Sequence, residues 1–229
     1  MDTSLTSDLA TLTPPPRETL QERVYGELRA AIMGGRFLPG QVLTIRAVAA
    51  ALRTSTMPVR EALRQLVAER ALDTLANRSF GIPRISRARF QDLVTVRVEI
   101  ESYAAATAAS SIDSAVVDRL EKINEALHAA QEMGNRDLYI ERNKEFHFTI
   151  YRAAGSEVLL PIIETLWLQT GPYIACTYKD GSQPKVGLKR HEGAIRALRR
   201  GDAESARKMI AADIKDAAAV ILSEAQFSD

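Results

Sequence analysis

The stretch Ser55-Thr56-Met57-Pro58-Val59-Arg60-Glu61-Ala62-Leu63-Arg64-Gln65-Leu66 decides how the N-terminal third of the chain is read. Ser55 is a residue type that caps helices, and Pro58 falls in the first turn, where its missing N–H does no harm. The helix expected over 56–69 has two faces. Val59, Leu63, Leu66 and Val67 form an apolar stripe, while Thr56, Arg60 and Arg64 recur every four residues on another face. One face is made to pack and the other to meet something polar.

Upstream, Val24, Leu28, Ala31 and Ile32 fall at helical spacing, which predicts a helix over Leu20–Met33 ended by Gly34-Gly35. Leu38-Pro39-Gly40 makes a turn, and Thr44 is a candidate cap for a short helix over Ile45–Leu52. Downstream, Leu72–Leu75 and Phe80–Pro83 read as two short strands around the turn Asn77-Arg78-Ser79. Three helices followed by a hairpin with an arginine at its tip make a winged helix-turn-helix, placed over residues 17–85. Residues 1–16, polar and ending in Pro14-Pro15-Pro16, read as a disordered arm.

The charge is divided along the chain. Residues 17–87 hold twelve arginines, no lysine and six acids, while the whole chain carries only +1. Arginine offers a flat fork of donors suited to phosphate and guanine edges. The asymmetry implies a nucleic-acid-facing half joined to a half with another task.

From residue 87 onward the texture is that of long helices, expected over 87–110, 114–133, 136–154, 157–171, 184–200 and 202–226. Six antiparallel helices make a bundle able to enclose a cavity, so residues 87–226 are assigned to a ligand-sensing and dimerising domain. The fold class is therefore mainly α, a winged helix-turn-helix plus a six-helix bundle. No apolar run approaches a membrane span, no signal-peptide pattern opens the chain, and the single Cys176 suits a reducing compartment. A cytoplasmic protein without a membrane partner is expected.

The segment 55–66, with Arg36-Phe37-Leu38-Pro39-Gly40 before it and Asn77-Arg78-Ser79-Phe80 after it, resembles the DNA-binding domain of the GntR regulator family. That resemblance implies DNA-contact positions at Arg46, Ser55, Thr56, Met57 and Arg60, with Asn77 and Arg78 in the wing. Arg60 and Arg64 can reach phosphate or the acceptor edge of guanine. Two residues depart from the family pattern: Thr56 stands where arginine is usual and Met57 where threonine is frequent. The loss of an arginine fork at Thr56 implies a different preferred operator.

The second half resembles the FCD domain of the FadR subfamily in its six-helix, VanR-like form. The likeness rests on Arg97-Val98-Glu99-Ile100-Glu101, on Asn143-Lys144-Glu145-Phe146-His147, on His191-Glu192-Gly193-Ala194-Ile195 and on Met209-Ile210-Ala211-Ala212-Asp213. Many such domains hold a divalent metal with an Asp or Asn and three His. The matching positions here are Asn143, His147, His191 and Asp213, the last replacing the usual third histidine. Asn143 and His147, four residues apart, share one helix face. Such a set suits Zn²⁺, Ni²⁺ or Mn²⁺, with a tilt toward Mn²⁺ from its oxygen content. His128 has no partner pattern and reads as surface.

By the same resemblance Arg97 points into the cavity, where it would pair bidentately with a carboxylate effector. A salt bridge from Arg97 to Glu99 or Glu101 is disfavoured, those neighbours being expected to point elsewhere on the helix. Trp167, Tyr173 and Tyr178 are candidates for pocket lining or core. The function expected is that of a homodimeric repressor on double-stranded operator DNA, released by a small organic acid. Two alternatives stand beside it: a metal-dependent enzyme acting on a small acid, and an architectural DNA binder that senses nothing. The enzyme lacks support in sequence, since no HExxH, phosphate loop or nucleophile elbow is present.

Overall fold

In the computed structural model the described residues are 19–76, 79–174, 176 and 187–228. The expected arm over 1–16, Asn77 and Arg78 of the wing, and Tyr178 lie outside them. Helix α1 (Leu20–Met33) begins at Thr19, whose hydroxyl accepts from the Glu22 N–H while the Glu22 carboxylate accepts from the Thr19 N–H. Val24, Leu28 and Ile32 then bury one stripe. Strand β1 (Val42–Thr44) follows, an element the sequence reading lacked. It is three residues long with only Leu43 buried, too short for alternation to announce it.

Thr44 caps helix α2 (Ile45–Ala51) as expected, and α3 (Thr56–Ala68) buries Val59, Ala62, Leu63 and Leu66. The wing strands β2 (Asp73–Thr74) and β3 (Ser79–Gly81) complete an antiparallel sheet of order β1-β3-β2. Buried Leu43 faces buried Phe80 across it, so the sheet is pinned to the core by one cross-strand pair.

The helical half comprises α4 (Arg87–Ala109), α5 (Ser114–Glu132), α6 (Arg136–Ala153), α7 (Leu159–Ile174), α8 (Leu188–Arg199) and α9 (Ala203–Glu224). Ser86, Asp113, Asn135 and Asp202 cap four of them by accepting backbone N–H groups. Helix α4 is the axle. Its buried Ala104, Ala105, Ala108 and Ala109 admit close neighbours, and it packs along α9 while also touching α6, α7 and α8. Helix α7 was expected to stop at 171, before Pro172, yet it runs on to Ile174. Tertiary anchoring overrides the proline: the Tyr173 hydroxyl accepts the Ile85 N–H at 2.9 Å and its ring stacks on Phe227. No described helix is long and apolar enough to cross a membrane.

The two halves meet where α1 lies against α7. A Cβ placed on Gly171 would stand 2.6 Å from the Ile32 carbonyl oxygen and 2.8 Å from Met33 Cα. Both are backbone atoms and cannot swing away, so glycine is required for this approach. Gly171→Ala is therefore expected to destabilise the chain by about 1–3 kcal/mol in denaturant unfolding. Gly26→Ala, in the same α1 with nothing within 4 Å of the added Cβ, should stabilise by about 0.5–1 kcal/mol. Equal effects of the two changes would contradict the close docking.

Candidate DNA-reading face and metal centre

Helix α3 turns its apolar stripe inward and leaves Ser55, Thr56, Met57 and Arg64 exposed, with Arg60 half-buried. Ser55 is the N-cap as expected, but its side chain makes no capping hydrogen bond. The third helical residue is Pro58, which has no N–H to offer, so the Ser55 hydroxyl stays free for another partner. Arg60 has no ion pair among the described residues, and its buried Nε has no hydrogen-bond partner. Arg64 differs: its Nη1 lies 3.0 Å from Glu61 Oε1, an exposed pair that a phosphate can displace at little cost. Arg46 on α2 is exposed. Asn77 and Arg78 are outside the described residues.

In the helical half, α6 brings His147, α8 brings His191 and α9 brings Asp213, all buried. Asp213 Oδ2 lies 3.1 Å from His147 Nε2, and Oδ1 lies 3.7 Å from His191 Nε2. One ligand atom from each of the three falls within 4.8 Å of the others. Asn143, one turn before His147, lines the same cavity with His147 and Asp213. Three of the four sequence candidates thus converge, and Asn143 shares a cavity with two of them.

Whether these residues fit a cation can be tested on their hydrogen bonds. His191 is fully buried, stacked on Phe146 at 3.9 Å, and neither ring nitrogen has a hydrogen-bond partner. Burial pushes its pKa down, against the pull of Asp213, and so favours the neutral ligating form. Burial alone would raise the Asp213 carboxyl, but its attraction for the facing imidazoles in their protonated form outweighs this, so its pKa is lowered and it stays an anion. A buried imidazole without a hydrogen-bond partner beside a buried carboxylate is a donor set that fits a divalent cation.

His147 adds a second test. Burial, then the Glu101 charge, pushes the Tyr151 hydroxyl far above its ordinary pKa, so Tyr151 keeps its proton. That proton goes to Glu101 Oε2 at 2.6 Å. The Tyr151 oxygen, 3.0 Å from His147 Nδ1, then accepts, which assigns the imidazole proton to Nδ1. Nε2 is left with its lone pair toward Asp213, and only a second proton or a shared cation makes that approach favourable.

Arg97 corrects an expectation. Glu101 does not point elsewhere: four residues on, it shares Arg97's face. Arg97 Nε donates to Oε1 at 2.6 Å, Nη2 to Oε2 at 3.3 Å and Nη1 to Thr170 Oγ1 at 3.2 Å. The Trp167 indole N–H also donates to Oε2, at 2.9 Å, and the guanidinium lies 4.8 Å from the Trp167 ring centroid. Arg97 still lines the cavity, of about 70 Å³, but its fork is already engaged. Trp167 lines the cavity too, whereas Tyr173 turns to Ile85, Phe90 and Phe227. His128 sits half-exposed, 3.4 Å from Glu192. Glu101, Tyr151 and Thr170 are the site residues the sequence reading lacked; spacing of four from Arg97 and from His147 was the available signal for the first two.

Known proteins share both halves. Residues 20–82 match the family model described as bacterial regulatory proteins of the gntR family, and residues 92–216 match the FCD domain model. The Escherichia coli transcriptional regulator McbR is 28% identical over 195 residues, 84% of this chain and 88% of its own length. A solved structure of McbR superposes with a TM-score of 0.86 at 26% identity, covering 90% of this chain and 99% of that one. The Escherichia coli transcriptional repressor RspR is 23% identical over 88% of each chain. A probable repressor of a D-xylose utilisation operon from Paenarthrobacter nicotinovorans is 26% identical over 83% of each. With the reading helix and the helical domain both matched in order, this chain belongs to the gntR family of DNA-binding bacterial transcriptional regulators, in the branch that carries an FCD domain.

Proposed function

We propose that the chain is a homodimeric, cytoplasmic repressor that leaves its operator when a small carboxylic acid enters the cavity beside a divalent ion. The observation that carries this reading is the convergence of His147, His191 and Asp213 beside a cavity lined by Arg97 and Asn143. Asn143, His147, His191 and Asp213 would hold the ion. It would supply a positive Lewis-acid centre for the acid's carboxylate oxygens, a role Arg97 cannot fill alone while its fork is bound to Glu101. About 70 Å³ accommodates a compact acid of a few carbons or several waters. That two relatives bear the word repressor in their names supports repression over activation.

Release requires a path from cavity to reading head. Trp167 and Thr170 of α7 belong to the cavity network. From the same helix Glu164 lies 3.1 Å from Arg29 of α1, and Arg29 lies 3.7 Å from Glu69, the C-cap of α3. Tyr25 donates to Glu69 at 2.5 Å. A shift of α7 therefore loads the last turn of α3, and an acid that prefers the shifted state weakens DNA binding by linkage. Dimerisation fits the exposed Val96 and Tyr103 on α4 and the symmetric half-sites such regulators read.

Protein purified without chelator should carry about one equivalent of divalent metal per chain by elemental analysis, and His191→Ala should carry none. Tyr151→Phe, which removes the acceptor for His147 Nδ1, should weaken metal affinity about 10–100-fold while leaving far-UV circular dichroism unchanged. Undiminished metal content in both variants would remove the site.

Small carboxylic acids should raise the melting temperature of the metal-loaded chain and weaken operator binding. The operator should weaken acid binding by the same factor, about 5–150-fold for ordinary coupling. Acids that bind without changing DNA affinity would overturn the release mechanism.

A further inference from the structure

Met57 is the single large apolar side chain of α3 that stands exposed, at 62%. It is the second residue of the helix, at the end that enters a groove, and it lies off the buried stripe of Val59, Leu63 and Leu66. Thr56 before it is exposed as well, and Arg60 and Arg64 follow at spacings of three and seven, so Met57 borders the arginine row. An unbranched thioether can adapt its three torsions to a shallow apolar target.

The major groove offers one apolar group among its base edges, the C5-methyl of thymine; every other edge presents donors or acceptors. A polar reading face with one apolar tip at its leading end is complementary to that pattern. We infer that Met57 is a specificity-determining residue that packs on a thymine methyl within each operator half-site, beside the phosphate or guanine taken by Arg60. The inference rests on α3 being the helix that reads the major groove.

Deoxyuridine differs from thymidine only by that methyl and keeps the same hydrogen-bonding edge. An operator is first enriched from random duplex DNA with the full-length wild-type chain, and each thymine is then replaced singly by uracil. At one thymine per half-site, uracil should weaken wild-type binding about three- to five-fold, as expected for one lost buried methyl. Met57→Ala, at an exposed position, should bind thymine and uracil duplexes equally there while keeping the wild-type salt slope. Absence of any methyl-sensitive thymine would overturn the assignment, as would a sensitivity that persists in Met57→Ala. Failure to enrich any sequence is a distinct result: it would remove the groove-reading role of α3 and the assignment with it.

Discussion

The arrangement of the helical half depends on one buried carboxylate. Glu101 is fully inaccessible and takes hydrogen bonds from Arg97, Tyr151 and Trp167, so α4, α6 and α7 are joined at two oxygen atoms. Burying such a charge costs several kcal/mol unless every lone pair finds a donor, and removing one partner of a buried pair costs about 3–5 kcal/mol. Here Arg97 supplies the opposite charge and the tyrosine and indole complete the shell. The cost of burial thus becomes a constraint on geometry, because the three helices can move only by breaking or carrying this cluster.

Two functional regions hang on that constraint. Through Tyr151 it orients His147 and so prepares one wall of the metal centre. Through Trp167, and through Thr170 by way of Arg97, it grips α7, which also packs on α6 and α9 and reaches α1 and, by Arg29, the end of α3. The close approach at Gly171 leaves little slack between the halves. A ligand beside His147 would therefore act on the same cluster that positions the helix carrying the interdomain contact.

Much of this was legible in sequence where a pattern is local. The two faces of α3 follow from spacing alone, and the pairing of Asn143 with His147 follows from one helical turn. The missing cap at Ser55 is implied by Pro58 three residues later. Strand β1 was not legible, because its residues gain strand geometry only by pairing with the wing. Nor was the passage of α7 through Pro172, which depends on Ile85 and Phe227, far away in sequence. The Arg97–Glu101 pair is the instructive case. Spacing of four places the two on one face, yet that Glu101 would be buried depends on a tyrosine and a tryptophan from other helices.

The proposed metal site would be tied to the reading head by one mechanical connection, through Glu101 and α7. Hydrogen–deuterium exchange of the full-length chain, compared with and without saturating Zn²⁺ or Mn²⁺, tests it most directly. Added protection is expected in α6, α8 and α9, which hold the ligands, and also in α7 and the last turn of α1 around Ile32 and Met33. Protection confined to the ligand-bearing helices, with α7 and α1 unchanged, would contradict the connection.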